Sequence, residues 1–177
     1  DAVETLGKLP QSSVTNQYLR QLINVDDTSV RIAAYQALVR NNDPRVYSRV
    51  IREKFVLDLV PSSAPPMIYA SRRGIPRLAI FGMRQSIIRP VTFAAIGARL
   101  TVSADAEDGP VTLFYRSERS LGDSVTAAIK QTSRADLADI IARLGGEAAD
   151  GEIPMDFSYA DVVAIVQTMH EQGKLVG

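Results

Sequence analysis

Few of the residue types that perform chemistry stand in a useful arrangement. The one histidine, His170, falls near the end of a helix-forming segment, with no serine and carboxylate at catalytic spacing. An imidazole there suits a helix C-terminus, where it meets the negative end of the dipole and the last carbonyls. Asp105, Glu107 and Asp108 form an acidic turn. They lack the ligand spacing of a calcium loop and read as a solvated connection. There is no cysteine, which excludes disulfides, thiolate metal sites and cysteine nucleophiles. Gly74, Gly82, Gly97 and Gly109 are scattered and make no phosphate cradle. The expectation is therefore no enzyme, no cofactor, no metal and no small-molecule substrate.

The arginines offer more. Residues 59–104 contain Arg72, Arg73, Arg77, Arg84, Arg89 and Arg99 and no acid at all. Residues 105–177 contain 13 acidic and 6 basic side chains, and the whole chain is formally neutral. Guanidinium groups form bidentate pairs with carboxylates and phosphates, so the six arginines are the candidate partner-binding residues. Tyr69, Phe81 and Phe93 lie among them, a mixture also found on single-stranded nucleic-acid surfaces. Aromatics inside alternating strands belong to a core, however, and the acidic half supplies partners of its own. Nucleic acid is therefore disfavoured. A solvated or self-paired face and contact with an anionic protein or polymer stay open.

Elements must position these side chains. At 177 residues, 46% hydrophobic and 23% charged, the chain has the composition of an ordinary globular protein with a core of its own. No run approaches ~20 apolar residues, so no membrane-spanning helix is expected. The chain begins at Asp1 with no charged and apolar leader, so any targeting signal is expected outside it. Ala2, Val3 and Leu6 recur 32 residues later as Ala34, Tyr35 and Leu38, and Lys8 recurs as Arg40. Such a period marks stacked helix pairs. A helix is predicted over 15–25 and another over 29–41, where Val30, Ala33, Ala34, Ala37 and Leu38 form one apolar stripe. Asp43-Pro44 predicts a third helix through Val46, Val50 and Ile51. Residues 1–54 thus resemble the end of a HEAT-type repeat array continuing upstream.

From Phe55 the pattern turns to strands. Met67–Ala70 and Leu78–Phe81 flank a turn punctuated by Gly74 and Pro76, and Leu100–Ala104 and Val111–Tyr115 flank the acidic turn. Val125, Ala127 and Ile129 suggest one more strand. Ser133-x-x-Asp136 and Ser158-x-x-Asp161 each predict a capped helix start, with stops at Gly145-Gly146 and Gly173. The fold class is α+β. A mostly antiparallel sheet (strands about 55–131) with helices at about 134–144 and 159–172 forms a domain at 55–177, after the truncated helical repeat at 1–54.

The last 40 residues carry a family resemblance. The run from Ala135 to Gly145, ADLADIIARLG, precedes Asp161–Leu175, DVVAIVQTMHEQGKL. Together they resemble the C-terminal end of flagellar basal-body P-ring proteins, where a helix of the type DL…AL…LG precedes one of the type DLIAILQALKAAGAL. Asp161, Ala164, Ile165, Gln167, Gly173 and Leu175 match the second pattern in place. The resemblance implies a non-enzymatic structural protein that self-assembles in the periplasm or cell envelope. The alternative is a HEAT-repeat adaptor or scaffold whose α+β domain binds a protein partner.

Overall fold

The computed structural model describes residues 5, 12–82, 85–106, 108–116 and 129–176. Its fold is α+β with mostly antiparallel sheets and a few helices. Among the described elements two helices come first. Helix α1 (Ser13–Leu22) starts where Ser12 accepts a hydrogen bond from the Thr15 amide at 3.0 Å. Helix α2 (Thr28–Arg40) starts where Asp27 accepts from the amides of Ser29 and Val30. Ala33, Ala34, Ala37 and Leu38 of α2 are buried, as the apolar stripe requires.

Among the described residues ten strands follow, in three sheets. The first contains β1 (Tyr47–Ile51), β2 (Phe55–Val60), β3 (Met67–Ala70) and β4 (Arg77–Phe81) in the order β1-β2-β4-β3. Its central pair, β2 and β4, is parallel, with Val56 opposite Arg77 and Val60 opposite Phe81. The second pairs β5 (Ser86–Ile87) with β10 (Leu175–Val176). The third is an antiparallel meander of β6 (Val91–Ala95), β7 (Leu100–Ala104), β8 (Val111–Tyr115) and β9 (Ile129–Ser133). Helix α3 (Leu137–Leu144) and helix α4 (Tyr159–Glu171) complete the order before β10.

Side chains of the first sheet alternate between two cores. On one face Val60, Ala79 and Phe81 pack on Leu19, Ile23, Tyr35 and Leu38 of the α1–α2 pair. On the other, Ile51, Phe55, Leu57, Leu78 and Ile80 join Phe93, Val102 and Leu113 of the meander and Ile140, Ile141, Ile165 and Met169 of α3 and α4. Each such large apolar side chain, fully buried, stabilises the fold by about 1.5–3 kcal/mol. The exception on the helix-facing side is Asp58, fully buried at the centre of β2. Its carboxylate accepts from the Tyr35 hydroxyl at 2.6 Å, from Arg77 at 2.7 Å and from the Ser48 hydroxyl. A buried carboxylate is tolerable only with its lone pairs met in this way.

Four expectations are corrected. The third helix does not form: Asp43 binds the Arg20 guanidinium at 2.7 Å and the Arg45 amide, and residues 47–51 are strand β1. Pairing with β2 along residues 47–51, and the packing of Ile51 in the core, outweigh the local N-cap signal. β1 thus lies before residue 54 and pairs with a strand beyond it. The single sheet is three sheets, and strands extend beyond 55–131 at both ends. Ser133 ends β9 instead of capping a helix, and Asp136 is the cap of α3, accepting from the Ala138 amide at 2.9 Å. Helix α1 stops at Leu22, short of residue 25. The capping box at Ser158 and Asp161 is present in both halves. Ala2, Val3, Leu6, Val125 and Ala127 lie outside the described residues. Among the described residues no helix is long and apolar enough to cross a membrane.

Candidate interaction surface

Strand direction in the first sheet brings two turns together. Because β2 and β4 run parallel, the β1–β2 turn (residues 52–54) and the β3–β4 turn (residues 71–76) emerge from the same end, side by side. The second turn is rigid at its base. Ser71 Oγ accepts from the Arg77 amide at 2.8 Å and donates to the Ile75 carbonyl at 3.2 Å. The Tyr159 hydroxyl, from the start of α4, lies 3.0 Å from the Ser71 carbonyl and 2.8 Å from that of Arg77. Burial pushes the Tyr159 phenol above its ordinary ionisation range, so it remains a donor. Gly74, at φ +74°, supplies the left-handed residue of the tip.

This clamped tip projects Arg72, Arg73 and Ile75 into solvent. Ile75 is 66% exposed, the most exposed large apolar side chain among the described residues. The neighbouring turn adds Arg52. Arg52 and Glu53 both adopt left-handed backbone, at φ +47° and +59°, where Asn-Gly is the favoured pair. Each such non-glycine residue costs on the order of 1 kcal/mol. Arg52, Arg72 and Arg73 have no hydrogen-bond or ion-pair partner among the described residues. A strained turn presenting one charge, beside a stiffened tip presenting two more, makes this end the candidate interaction surface.

The other candidate arginines are employed elsewhere. Arg77 belongs to the Asp58 network, where burial pulls its pKa down but the carboxylate and Tyr35 raise it further, to a net increase. Arg89 donates to the Gly109 carbonyl. Arg99 lies over the rings of Tyr115 and Phe157, 5.9 Å from each centroid. Arg84 lies outside the described residues. The six therefore do not form one patch. Arg52 was missed because Val46, Val50 and Ile51 have helical spacing; the signal that could have found it is the Arg-Glu-Lys interruption between two apolar runs.

Two clefts carry less. A polar one of about 700 Å³ contains Arg49, Arg89, Arg134 and Arg143, but Arg49 meets Glu147, Arg134 meets Asp139 at 2.6 Å, and Arg143 meets Glu152. Its positive charge is answered on its own walls. A more apolar one of about 450 Å³ lies between β3 and α4, with His170 at its rim in the last turn of α4. Asp105 and Asp108 are exposed in the β7–β8 turn, and Glu107 lies outside the described residues. Among the described residues no three His, Asp or Glu side chains converge as a metal-binding group. Comparison with models of protein families, with curated proteins and with solved structures finds no match.

Proposed function

We propose that this chain is a non-enzymatic structural protein that assembles with copies of itself, P-ring-like at its C-terminal helices and placed in the periplasm or cell envelope. The observation that carries the reading is the end of the first sheet, where Arg52, Arg72 and Arg73 have no partner among the described residues and Ile75 is exposed. Guanidinium groups beside an exposed apolar side chain, on a tip held by Tyr159, suit protein contact: little side-chain or loop ordering remains to oppose binding. Sedimentation velocity over a range of concentrations tests it. Growth of the sedimentation coefficient with concentration supports assembly; a monomer throughout overturns it.

One observation favours the second reading, a HEAT-repeat adaptor. Val14 and Tyr18 lie four residues apart on α1 and are 59% and 63% exposed. An apolar pair on the outer face of the first described helix is what a stacked repeat offers its neighbour. On that reading the chain stays monomeric until a partner protein is added.

A further inference from the structure

Among the described residues strand β3 pairs only with β4, so its other side is an edge of the first sheet. Ser71, just past β3, donates its amide to the Arg77 carbonyl at 2.9 Å. Antiparallel ladders alternate, so Tyr69–Ala79 and Met67–Phe81 are the hydrogen-bonded pairs, and the N–H and C=O of Ile68 and Ala70 turn outward. No hydrogen bond from the described residues reaches those four groups. Between Met67 and Ala70 there is no charge, proline or bulge, the usual guards against a further strand.

The side chains of Ile68 and Ala70 point to the larger core, on the face where α4 packs. The cleft of about 450 Å³ opens there, beside the free edge. Its helical wall is a stripe of Val163, Val166, Gln167 and His170, three and four residues apart. Val163 is half-buried, and Gln167 and His170 are exposed, so the wall faces solvent on its outer side. Tyr159 pins the head of α4 to the Ser71 and Arg77 carbonyls and fixes the width of the cleft at that end. Exposed Arg72 and Arg73 leave β3 at the same end.

We propose that β3 and α4 form a docking groove for an extended segment of another protein, which adds to the sheet as a strand antiparallel to β3. Its backbone completes the ladder at Ile68 and Ala70, and its residues opposite those two project over Val163 and Val166. Antiparallel addition sets its N-terminal end beside Arg72 and Arg73, where carboxylates would meet guanidinium groups. The segment is therefore acidic first and then apolar at alternate positions. A second copy offering its own β3 does not match: residues 59–104 contain no acid, so that strand brings no carboxylate. The groove is independent of whether the chain assembles with itself.

The probe is the peptide Glu-Glu-Val-Thr-Val-Thr-Val, with binding to the full chain read by fluorescence anisotropy and amide exchange read by NMR. In the free chain Ile68 and Ala70 should exchange fast between slow Met67 and Tyr69, and peptide should slow both by about tenfold or more. A Lys-Lys version should bind about tenfold more weakly, and a version N-methylated at its valines should not bind. Ala70→Pro should also abolish binding with the melting temperature kept, because that amide gives no bond to β4. No binding of the first peptide, or equal binding of the N-methylated one, overturns the proposal. Slow exchange at Ile68 and Ala70 that grows with chain concentration assigns the edge to a second copy and overturns it too. Sedimentation of the peptide-free chain reads assembly separately: a monomer that binds the peptide keeps the groove and loses the assembly reading.

Discussion

Tyr35 of α2 donates its hydroxyl to Asp58 of β2 at 2.6 Å, and this bond ties the helical pair to the sheet through a fully buried carboxylate. Tyr35 also packs edge-on against Phe81 and Tyr69, with centroids 5.4 and 5.9 Å away. The phenol thus joins an apolar contact and a polar one in a single side chain.

Removing members of this network should cost stability in a fixed order. Asp58→Ala strands Tyr35, Ser48 and Arg77 together and should cost about 3–5 kcal/mol. Tyr35→Phe keeps the ring packing and removes one donor, for about 1–3 kcal/mol. Ser48→Ala should cost least, because β1 is an edge strand and Ser48 is exposed. Urea unfolding measures all three. Equal losses would mean that Asp58 is not the hub.

Alkaline pH should loosen the same joint. Burial, with the adjacent Asp58 carboxylate, raises the Tyr35 pKa well above its ordinary value of 10. The unfolded chain therefore releases this proton near pH 10 while the folded chain retains it. Stability is full below pH 10 and falls as pH rises beyond it, by up to about 1.4 kcal/mol per pH unit for one such group. Tyr159, also raised by burial, adds to the slope. Urea midpoints at pH 9, 10 and 11 should decline more steeply for the wild type than for Tyr35→Phe. Parallel declines would assign the slope to other groups.

Glycine replacements should separate space from conformation. At Gly145 an added Cβ would run into the Ile51 side chain and lie 3.0 Å from the Phe55 ring, so Gly145→Ala should cost about 1–3 kcal/mol by overpacking. At Gly74 the space is open but φ is +74°, so Gly74→Ala should cost about 1–2 kcal/mol through the backbone alone. At Gly109 neither constraint applies, and alanine should be neutral. Melting temperatures that ranked Gly109→Ala with Gly145→Ala would refute the packing account.

The strained β1–β2 turn should be easy to improve at a functional cost. Arg52→Asn with Glu53→Gly installs residues that accept left-handed backbone and should stabilise the fold by about 1 kcal/mol. The same change deletes one of the three arginines presented at this end of the sheet, so self-association should weaken. A variant more stable and equally associative would show that Arg52 is not used.

The hairpins were legible because their signals are local. The apolar runs at 67–70 and 78–81, with Gly74 and Pro76 between them, point to both strands and to the exposed tip that carries Arg72 and Arg73. Strand β1 was not, because Asp43-Pro44 imitates a helix start and the deciding partner, β2, acts through pairing. Arg77 was read as a partner-binding residue and not as the partner of Asp58, since that carboxylate is 19 positions away and no local pattern joins the two. The joining of both turns at one end depends on the parallel β2–β4 pairing, which no local pattern encodes.

That alternation along β2 has a consequence for folding fidelity. Phe55 and Leu57 point into the larger core, while Asp58 and Val60 point to the helices. A slip of one residue would turn Asp58 toward an apolar core with none of its three donors and swing Leu57 into their place. Apolar strands buried on both faces have little else to punish such an error. The carboxylate that is costly to bury in the right register is far costlier in the wrong one, and that difference makes Asp58 the proofreading residue of the sheet.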